Sequence, residues 1–283
     1  MNFRQVRKKI KTIGNVKKIT NAMQMVSAVK MKKAQLTAQE GKLYRQTLEG
    51  MINRVLSDNA ELKSGLLANK KEGGRNLIII ISSNKGLAGS FHFNLLRFIF
   101  SDIDTSKNDF IVLGKKAADF ITKIKGTILA DFSSEPVFEE SASAIFSLAI
   151  SEYELDNYDS VYLVYNEFKS SFQFSPIKKM LLPVKNVKKN TDEVVKAQVG
   201  NYLIEPSAEE IVEPLLIDYL TETIRGAILD SQASEHSARM MAMKNATDSA
   251  GEIIDGLTLL RNKLRQASIT GELLDMMSST LSN

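Results

Sequence analysis

Apolar residues recur at alternating steps of three and four through the C-terminal part of the chain, and no proline interrupts them after Pro214. The series is Met243, Ala246, Ala250, Ile253, Leu257, Leu260, Leu264 and Ala267. Such alternating steps are typical of the a and d positions of a coiled coil. The pattern therefore predicts a long coiled-coil helix over residues 207–283, with this apolar series facing a partner helix.

A second apolar series with helical spacing begins close to the N-terminus. It consists of Val6, Ile10, Ile13, Val16, Ile19, Met23 and Val26. The spacing predicts a helix from residue 2 to about residue 56, and a helix of about 55 residues is roughly 80 Å long. Because that length exceeds an ordinary domain, we predict that the two terminal helices pair antiparallel and that a globular body is encoded between them.

Short strand-like and helix-like segments alternate between the two series. Strands are predicted at residues 76–83, 110–113, 128–131, 161–168 and 172–182, helices at 91–100, 115–124 and 141–150, and a polar loop at 185–193. This alternation is typical of an α/β domain with a largely parallel sheet. Pro176 and Pro183 indicate that the last strand is an edge strand, because proline cannot donate to a sheet ladder. The predicted fold class is α/β: a Rossmann-like domain (60–206) between two coiled-coil helices (1–59 and 207–283).

The distribution of aromatic residues supports this division. Seventeen of the twenty Phe and Tyr residues lie between Phe91 and Tyr202, and none follows Tyr219. Aromatic side chains build wide globular cores, whereas smaller aliphatic residues fill two-helix seams. The absence of cysteine excludes disulfides, thiolate metal sites and cysteine nucleophiles. No apolar run is long enough to span a membrane and no secretory signal is evident, so we expect a chain of the bacterial cytoplasm.

The net charge of +4 hides an asymmetry between the two ends of the chain. Residues 1–39 contain ten Lys or Arg and no acid, whereas residues 207–283 contain twelve acids and six bases. Opposite charges favour pairing of the two helices, although two separately solvated helix faces would give the same pattern.

The turn at residues 84–89 (NKGLAG) follows a strand and precedes a helix, which is where phosphate-binding loops lie. It matches neither the dinucleotide-binding nor the P-loop glycine motif. We therefore favour a structural turn and keep a nucleotide-using α/β enzyme as an alternative. His92 and His236 have no partners at ligand spacing, so we interpret them as packing or surface residues. The sequence predicts no catalytic, cofactor-binding or metal site.

The basic N-terminus raises a second alternative, a basic coiled-coil protein that binds nucleic acid through phosphate contacts. Two observations argue against it. The aliphatic spacing continues through the basic stretch, and no aromatic residue lies between Phe3 and Tyr44 to stack on bases.

Two segments resemble the signature helices of a known family. Residues 19–35 (ITNAMQMVSAVKMKKAQ) and 237–273 (SARMMAMKNATDSAGEIIDGLTLLRNKLRQASITGEL) are similar to those of the gamma subunit of F-type ATP synthase, and residues 82–89 resemble its central loop. Two departures are visible: Ala88 stands where many members have cysteine, and Gly271 where glutamine is common. The cysteine insert of the chloroplast members is also missing, so the resemblance is to the bacterial form.

The resemblance implies a central rotor shaft that couples proton flow through the membrane sector to ATP synthesis or hydrolysis at the beta subunits. The implied partners are the alpha and beta subunits, the epsilon and delta subunits, and the c-ring. Three identical catalytic sites differ only if something asymmetric touches each differently, and a stiff curved rod does this. The implied location is peripheral, on the cytoplasmic face of the bacterial plasma membrane, with membrane association only through the complex.

The resemblance also implies which residues touch partners. Two residues in or directly before the N-terminal motif are expected near the contact with beta, and four more are expected in the C-terminal motif. These residues are Lys18, Met23, Arg239, Arg265, Gln266 and Thr270.

Overall fold

The computed structural model describes residues 2–58, 65–67, 74–135, 137–184, 205 and 207–281. The helices are α1 (Phe3–Asp58), α2 (Phe91–Asp102), α3 (Lys115–Lys123), α4 (Ala142–Glu154) and α5 (Ala208–Leu281). The strands are β1 (Asn76–Ile81), β2 (Asn108–Leu113), β3 (Thr127–Asp131), β4 (Ser160–Ser170) and β5 (Gln173–Leu182). The predicted α/β fold class is confirmed, while the predicted loop at 185–193 lies outside the described residues.

The five strands form one sheet in the order β3-β2-β1-β4-β5. β1 pairs in parallel with β2 and β4, and β2 pairs in parallel with β3. β5 pairs antiparallel with β4 and forms an edge, as Pro176 predicts. The central strand is an unbroken aliphatic run because helices cover both of its faces.

Alternation along the strands divides the buried side chains into two cores. Ile78 and Ile80 of β1 pack with α2 and α3 on one face of the sheet. Leu77, Ile79 and Ile81 point to the other face, where they pack with α4, the C-terminal end of α1 and the first part of α5. The result is a three-layer arrangement with two separate hydrophobic cores.

Contacts divide the chain into two compact units, and each terminal helix contributes to both. The two-helix unit comprises Met1–Val29 and Arg239–Asn283, and the α/β unit comprises Lys30–Ala238. In the two-helix unit the hydroxyls of Thr20 and Thr247 lie 2.7 Å apart, and Lys17 packs over Gly251. From Thr20 to Lys17 the residue numbers of α1 fall, while those of the contacting α5 residues rise from Thr247 to Gly251. The two helices are therefore antiparallel, as predicted.

The residues that form the α1 side of this seam differ from the predicted series. Val6, Thr20 and Ser27 are buried, whereas Val16, Ile19 and Val26 are exposed. The apolar series that predicted this helix therefore does not follow the seam at these last three positions. Two stripes of residues at helical spacing run along this part of α1: one with large apolar side chains (Val16, Ile19 and Val26) and one with small hydroxyl side chains (Thr20 and Ser27). A prediction from hydrophobicity favours the first stripe, because its side chains are larger and more apolar. Val6 belongs to the predicted series, but Thr20 and Ser27 do not, and the small hydroxyl side chain of Thr20 permits a short contact with Thr247.

The α5 side of the seam shows the same difference. Met243 and Ala250 are buried, and Leu257 and Leu264 are half-buried, as the predicted series requires. Ile253 is 51% exposed, Leu260 is 37% exposed and Ala267 is also exposed, so these three positions were predicted wrongly. Ile254 and Arg261, next to the first two of them, are the more buried residues. Both frames alternate steps of three and four, and only the contact with α1 distinguishes them.

Charge pairing does not fasten the two helices together. Within the part of the chain that the structure describes, no ion pair within 4.0 Å joins a base of residues 1–39 to an acid of α5. Exposed charges attract only weakly across water and salt. The charge asymmetry therefore favours the pairing at long range at most, and the seam contacts determine its register.

Candidate partner-contact surfaces

An apolar face of α1 is exposed within the two-helix unit. Val16, Ile19, Met23 and Val26 follow steps of three, four and three, which places them on one side of the helix. Ile19 is 59% exposed and Val26 is 56% exposed, while Met23 is half-buried. A contiguous apolar face on a helix pair is typical of a surface that a partner covers.

The C-terminal end of α5 forms a second exposed surface. Lys17 lies over Gly251, and Phe3 precedes Lys17 by 14 residues (17 − 3), so α1 begins level with about residue 265 of α5. Beyond that level the helix continues with large apolar side chains that are exposed. They are Ile269, Leu273, Leu274, Met276 and Met277.

The residues predicted from the resemblance fall into three groups. Arg265, Gln266 and Thr270 lie together on the exposed end of α5, where the Thr270 hydroxyl donates to the Gln266 carbonyl at 2.9 Å. Lys18 is exposed and Met23 half-buried on α1. Arg239 differs from the other five because its side chain is buried and already interacts within the chain.

The turn that follows β1 also holds the first residues of α3. The Lys115 amide donates to Asn84 Oδ1 at 2.7 Å, and the Lys116 amide donates to the Ser83 carbonyl at 3.3 Å. The turn after β1 therefore has a structural role, because Asn84 and Ser83 accept hydrogen bonds from two backbone amides at the start of α3.

Backbone conformation explains the glycine between β2 and α3. Gly114 has φ = 108°, and a Cβ at this position would lie 2.6 Å from the backbone nitrogen of Ser83. Only glycine fits both the conformation and the close approach. The turns after β1 and β2 are therefore held tightly against each other.

His92 has a packing role that the sequence predicted only in general terms. Its Nε2 lies 3.1 Å from the Lys85 carbonyl, and its Nδ1 lies 3.4 Å from the Ser82 hydroxyl. These contacts brace the turn after β1 against the first turn of α2. Among the described residues, no group of three or more His, Cys, Asp or Glu side chains could hold a metal ion.

The α/β unit contains a polar groove of about 530 Å³ that was not predicted from the sequence. Arg45 of α1 donates to the Glu222 carbonyl of α5 at 3.2 Å, and a Cβ at Gly226 would collide with its guanidinium group. Burial raises the pKa of Asp230 to about 6, although Arg45 opposes that rise. Burial also raises the pKa of the Tyr165 phenol. Because the groove draws residues from α1, β4, β5 and α5, no local pattern could reveal it.

No helix among the described residues has the combination of length and apolar character that crossing a membrane requires.

Comparisons with known proteins give a consistent result. Residues 2–281 match a family model described as ATP synthase. The ATP synthase gamma chain of Coxiella burnetii (strain Dugway 5J108-111) is 32% identical over 283 residues, covering 97% of this chain and 96% of the relative. The ATP synthase gamma chain of Brevibacillus brevis is 34% identical over 286 residues, covering 98% and 96%. A chain of the Euglena gracilis mitochondrial ATP synthase (OSCP/F1/c-ring, rotational state 3) superposes with a TM-score of 0.67 at 19% identity, covering 99% of this chain and 94% of that chain.

Proposed function

The chain belongs to the ATP synthase gamma chain family, and we propose how its surfaces serve the role of that family. That role is the central rotor shaft, which couples proton flow to ATP synthesis or hydrolysis. The two-helix unit turns inside a hexamer of alternating alpha and beta subunits. The α/β unit meets the epsilon subunit and the c-ring. ATP chemistry belongs to the beta subunits, and this chain supplies mechanical coupling without a catalytic site of its own.

The exposed apolar face of α1 is the observation that carries this proposal. Val16, Ile19 and Val26 leave apolar area in water on a helix pair whose own seam is lined by Thr20 and Ser27. Burial of apolar area is worth roughly 25 cal/mol per Å², so a surrounding partner would gain free energy by covering this face. A hexamer that encloses the helix pair provides such a cover from every direction.

The chemistry of this face suits a shaft that must move. Aliphatic side chains and the flexible Met23 make non-directional contacts, so no single rotor angle is held by a strong bond. Charged and polar contacts are directional, so they would differ with the angle of the shaft relative to individual subunits. The residues proposed for such contacts are Lys18, Arg265, Gln266 and Thr270. Arg239, which is buried, would act by shaping α5 between these contacts.

The remaining partners follow from the family and stay proposals. A delta subunit would complete the assembly, and membrane association would come only through the complex, at the cytoplasmic face of the bacterial plasma membrane. Residues 1–59 and 207–283 would supply the coiled coil and residues 60–206 the α/β domain. The Euglena gracilis structure, which contains OSCP, F1 and the c-ring, supports an assembly of this kind.

Nothing in the comparisons favours the nucleic-acid-binding alternative. Residues 84–89 match neither glycine motif of the phosphate-binding loops, which argues against a nucleotide-using enzyme. We therefore expect no ATP turnover from the purified chain alone. Turnover that tracks this chain after every catalytic subunit has been removed would contradict the proposal.

Cysteine accessibility tests the enclosed position of the two-helix unit, since the chain has no cysteine of its own. We would assemble Val26→Cys with alpha and beta subunits and measure the rate of maleimide labelling in the free chain and in the complex. The thiol should react in the free chain and be protected in the complex. Leu155→Cys is the matched control, because Leu155 is an exposed apolar residue of the α/β unit and should label in both states.

Equal labelling of Val26→Cys in both states, with the complex verified by its alpha and beta content, would show that this face is not enclosed. Failure of the chain to assemble with alpha and beta would contradict the shaft role itself.

A further inference from the structure

Three buried serines follow one another at steps of three on α5. Ser231, Ser234 and Ser237 are each no more than 1% exposed. Their hydroxyls donate to three main-chain carbonyls in different parts of the α/β unit: Ile81 at the end of β1 (3.4 Å), Asn166 in β4 (3.2 Å) and Ser171 in the turn between β4 and β5. We call these three residues the serine ladder. All six residues lie within the α/β unit.

Other hydroxyl residues on the same helix behave differently. Thr223, Thr247 and Thr270 each donate to the carbonyl four residues earlier, which is the usual local bond for Ser and Thr within a helix. The serine ladder donates away from α5 instead. Its hydrogen bonds therefore join elements of the α/β unit, whereas the Thr223 hydroxyl bonds only within the helix and Thr247 additionally contacts Thr20 of α1.

Small neighbouring side chains bring α5 close enough for these bonds. Ala227, Ala233 and Ala238 are buried on the same stretch of the helix. The fully buried Asn166, which accepts from Ser234, also donates through Nδ2 to the Phe91 carbonyl at 3.2 Å. A continuous series of bonds thus runs from α5 through β4 to the start of α2.

We propose that the serine ladder is the torsional lock through which the α/β unit turns α5. The inference rests on the proposed shaft function, in which torque from the membrane sector enters through the α/β unit and leaves along the helix. Apolar contacts resist separation, but they are non-directional and resist rotation of a helix about its own axis less well. Hydrogen bonds are directional, because they weaken steeply when the donor turns away from the acceptor.

The geometry makes the ladder effective against rotation. Its members span two turns of α5 and bind carbonyls of three separate segments, so a rotation of the helix would disrupt all three bonds together. Serine is also the smallest residue that carries a hydroxyl group, so it binds without separating α5 from the sheet. The three serines are therefore positioning residues for coupling and do not touch any reacting group.

Single-molecule rotation of the assembled complex tests this proposal. We would introduce Asp119→Cys, an exposed position of α3, and attach a bead to it as the only cysteine of this chain. The alpha and beta subunits would be anchored to the surface. Angular fluctuation of the bead during ATP-waiting dwells measures the torsional stiffness between the catalytic hexamer and the α/β unit.

In the triple variant Ser231→Ala, Ser234→Ala, Ser237→Ala, we expect the angular variance to increase at least about twofold, because three directional bonds are lost. ATP hydrolysis without load should stay unchanged. ATP-driven proton pumping against a gradient should fall relative to hydrolysis in the complete complex. Thr223→Ala is the matched control, since it removes a buried hydroxyl from the same helix without breaking a bond between elements, and its variance should equal that of the parent.

An unchanged variance in the triple variant would overturn the lock. Should that variant fail to assemble, Ser234→Ala and Ser237→Ala alone provide the same comparison, and two single variants with the variance of the parent would equally overturn it. An increase of the same size in Thr223→Ala would indicate general loosening of α5 and would also contradict the proposal. A parent bead that does not rotate would instead count against the shaft function.

Discussion

The two units of this chain bury their apolar residues to very different extents. In the α/β unit, every residue from Leu77 to Ile81 is at most 1% exposed. In the two-helix unit the buried seam includes Thr20 and Ser27, while Ile19 and Val26 are largely exposed. The α/β unit therefore has a complete core of its own. The two-helix unit leaves much of its apolar surface exposed, and its seam includes small polar contacts.

The largest expected effect compares one isoleucine from each unit. Ile79→Ala, in the centre of the sheet, should lower the free energy of unfolding of the isolated chain by on the order of 2–5 kcal/mol, because it leaves a cavity in a packed core. Ile19→Ala removes the same atoms from an exposed position, so a change within about 0.5 kcal/mol is expected. Urea unfolding followed by circular dichroism measures both. Similar losses for the two variants would contradict the difference in burial.

Met23→Lys should affect coupling more than stability. The new cation would lie near acidic loops expected on the catalytic subunits, and a charge-assisted hydrogen bond there would be worth about 1.5–3 kcal/mol at some rotor angles. Such a bond raises the barrier to leaving those angles. The ratio of ATP-driven proton pumping to ATP hydrolysis in reconstituted membranes should therefore fall.

Met51→Lys is the control for this prediction, because Met51 is an exposed methionine of α1 in the α/β unit. It should leave the coupling ratio unchanged. If Met23→Lys also leaves the ratio and its temperature dependence unchanged, Met23 is an ordinary packing residue of the helix pair and its proposed role in the beta contact is wrong.

The seam of the two-helix unit should respond with an intermediate effect. Leu257 is half-buried, so Leu257→Ala should destabilise the isolated chain by on the order of 1–2 kcal/mol, less than a fully buried leucine would. Leu259→Ala is the matched control, since Leu259 lies two residues further along the same helix and is 72% exposed. Equal unfolding midpoints for the two variants would mean that the seam does not include Leu257.

The smallest effect concerns the polar groove of the α/β unit and depends on pH. Burial raises the pKa of Asp230 from 3.8 to about 6 in the folded chain. The folded chain therefore holds the proton of this carboxyl group more tightly than the unfolded chain does. The stability that this proton provides is present below pH 3.8 and is lost as the pH rises through about 6. Asp230→Asn should therefore be more stable than the parent at pH 7.5, by on the order of 1 kcal/mol after allowance for solvent screening.

Unfolding midpoints of the parent and of Asp230→Asn, measured between pH 4.5 and 8, test this sign. The stability advantage of Asp230→Asn over the parent should shrink as the pH falls. Asp218→Asn, at an exposed position of α5, provides the control and should show no comparable trend. A parent that gains stability relative to Asp230→Asn above pH 6 would reverse the conclusion that burial outweighs the attraction of Arg45.

The amino-acid sequence determined the elements of this protein and its family. Periodic apolar positions predicted both terminal helices, and the aliphatic runs predicted the strands, because helix and strand periods are local properties of the chain. The edge position of β5 followed from Pro176, since an absent N–H group is tolerated only there. The two signature segments were enough to indicate the family, because the resemblance depends on the identity of each residue and not only on the hydrophobic pattern.

Only the tertiary structure decided which faces of those elements are covered. Val16 and Thr20 both lie on a plausible helix stripe, and the choice between them depended on the close contact of Thr20 with Thr247 across the seam. The serine ladder and the groove around Asp230 likewise arise where several distant segments meet. Periodicity gives the direction of a side chain relative to its own helix, but burial depends on what packs against that helix, and this is a property of the whole fold.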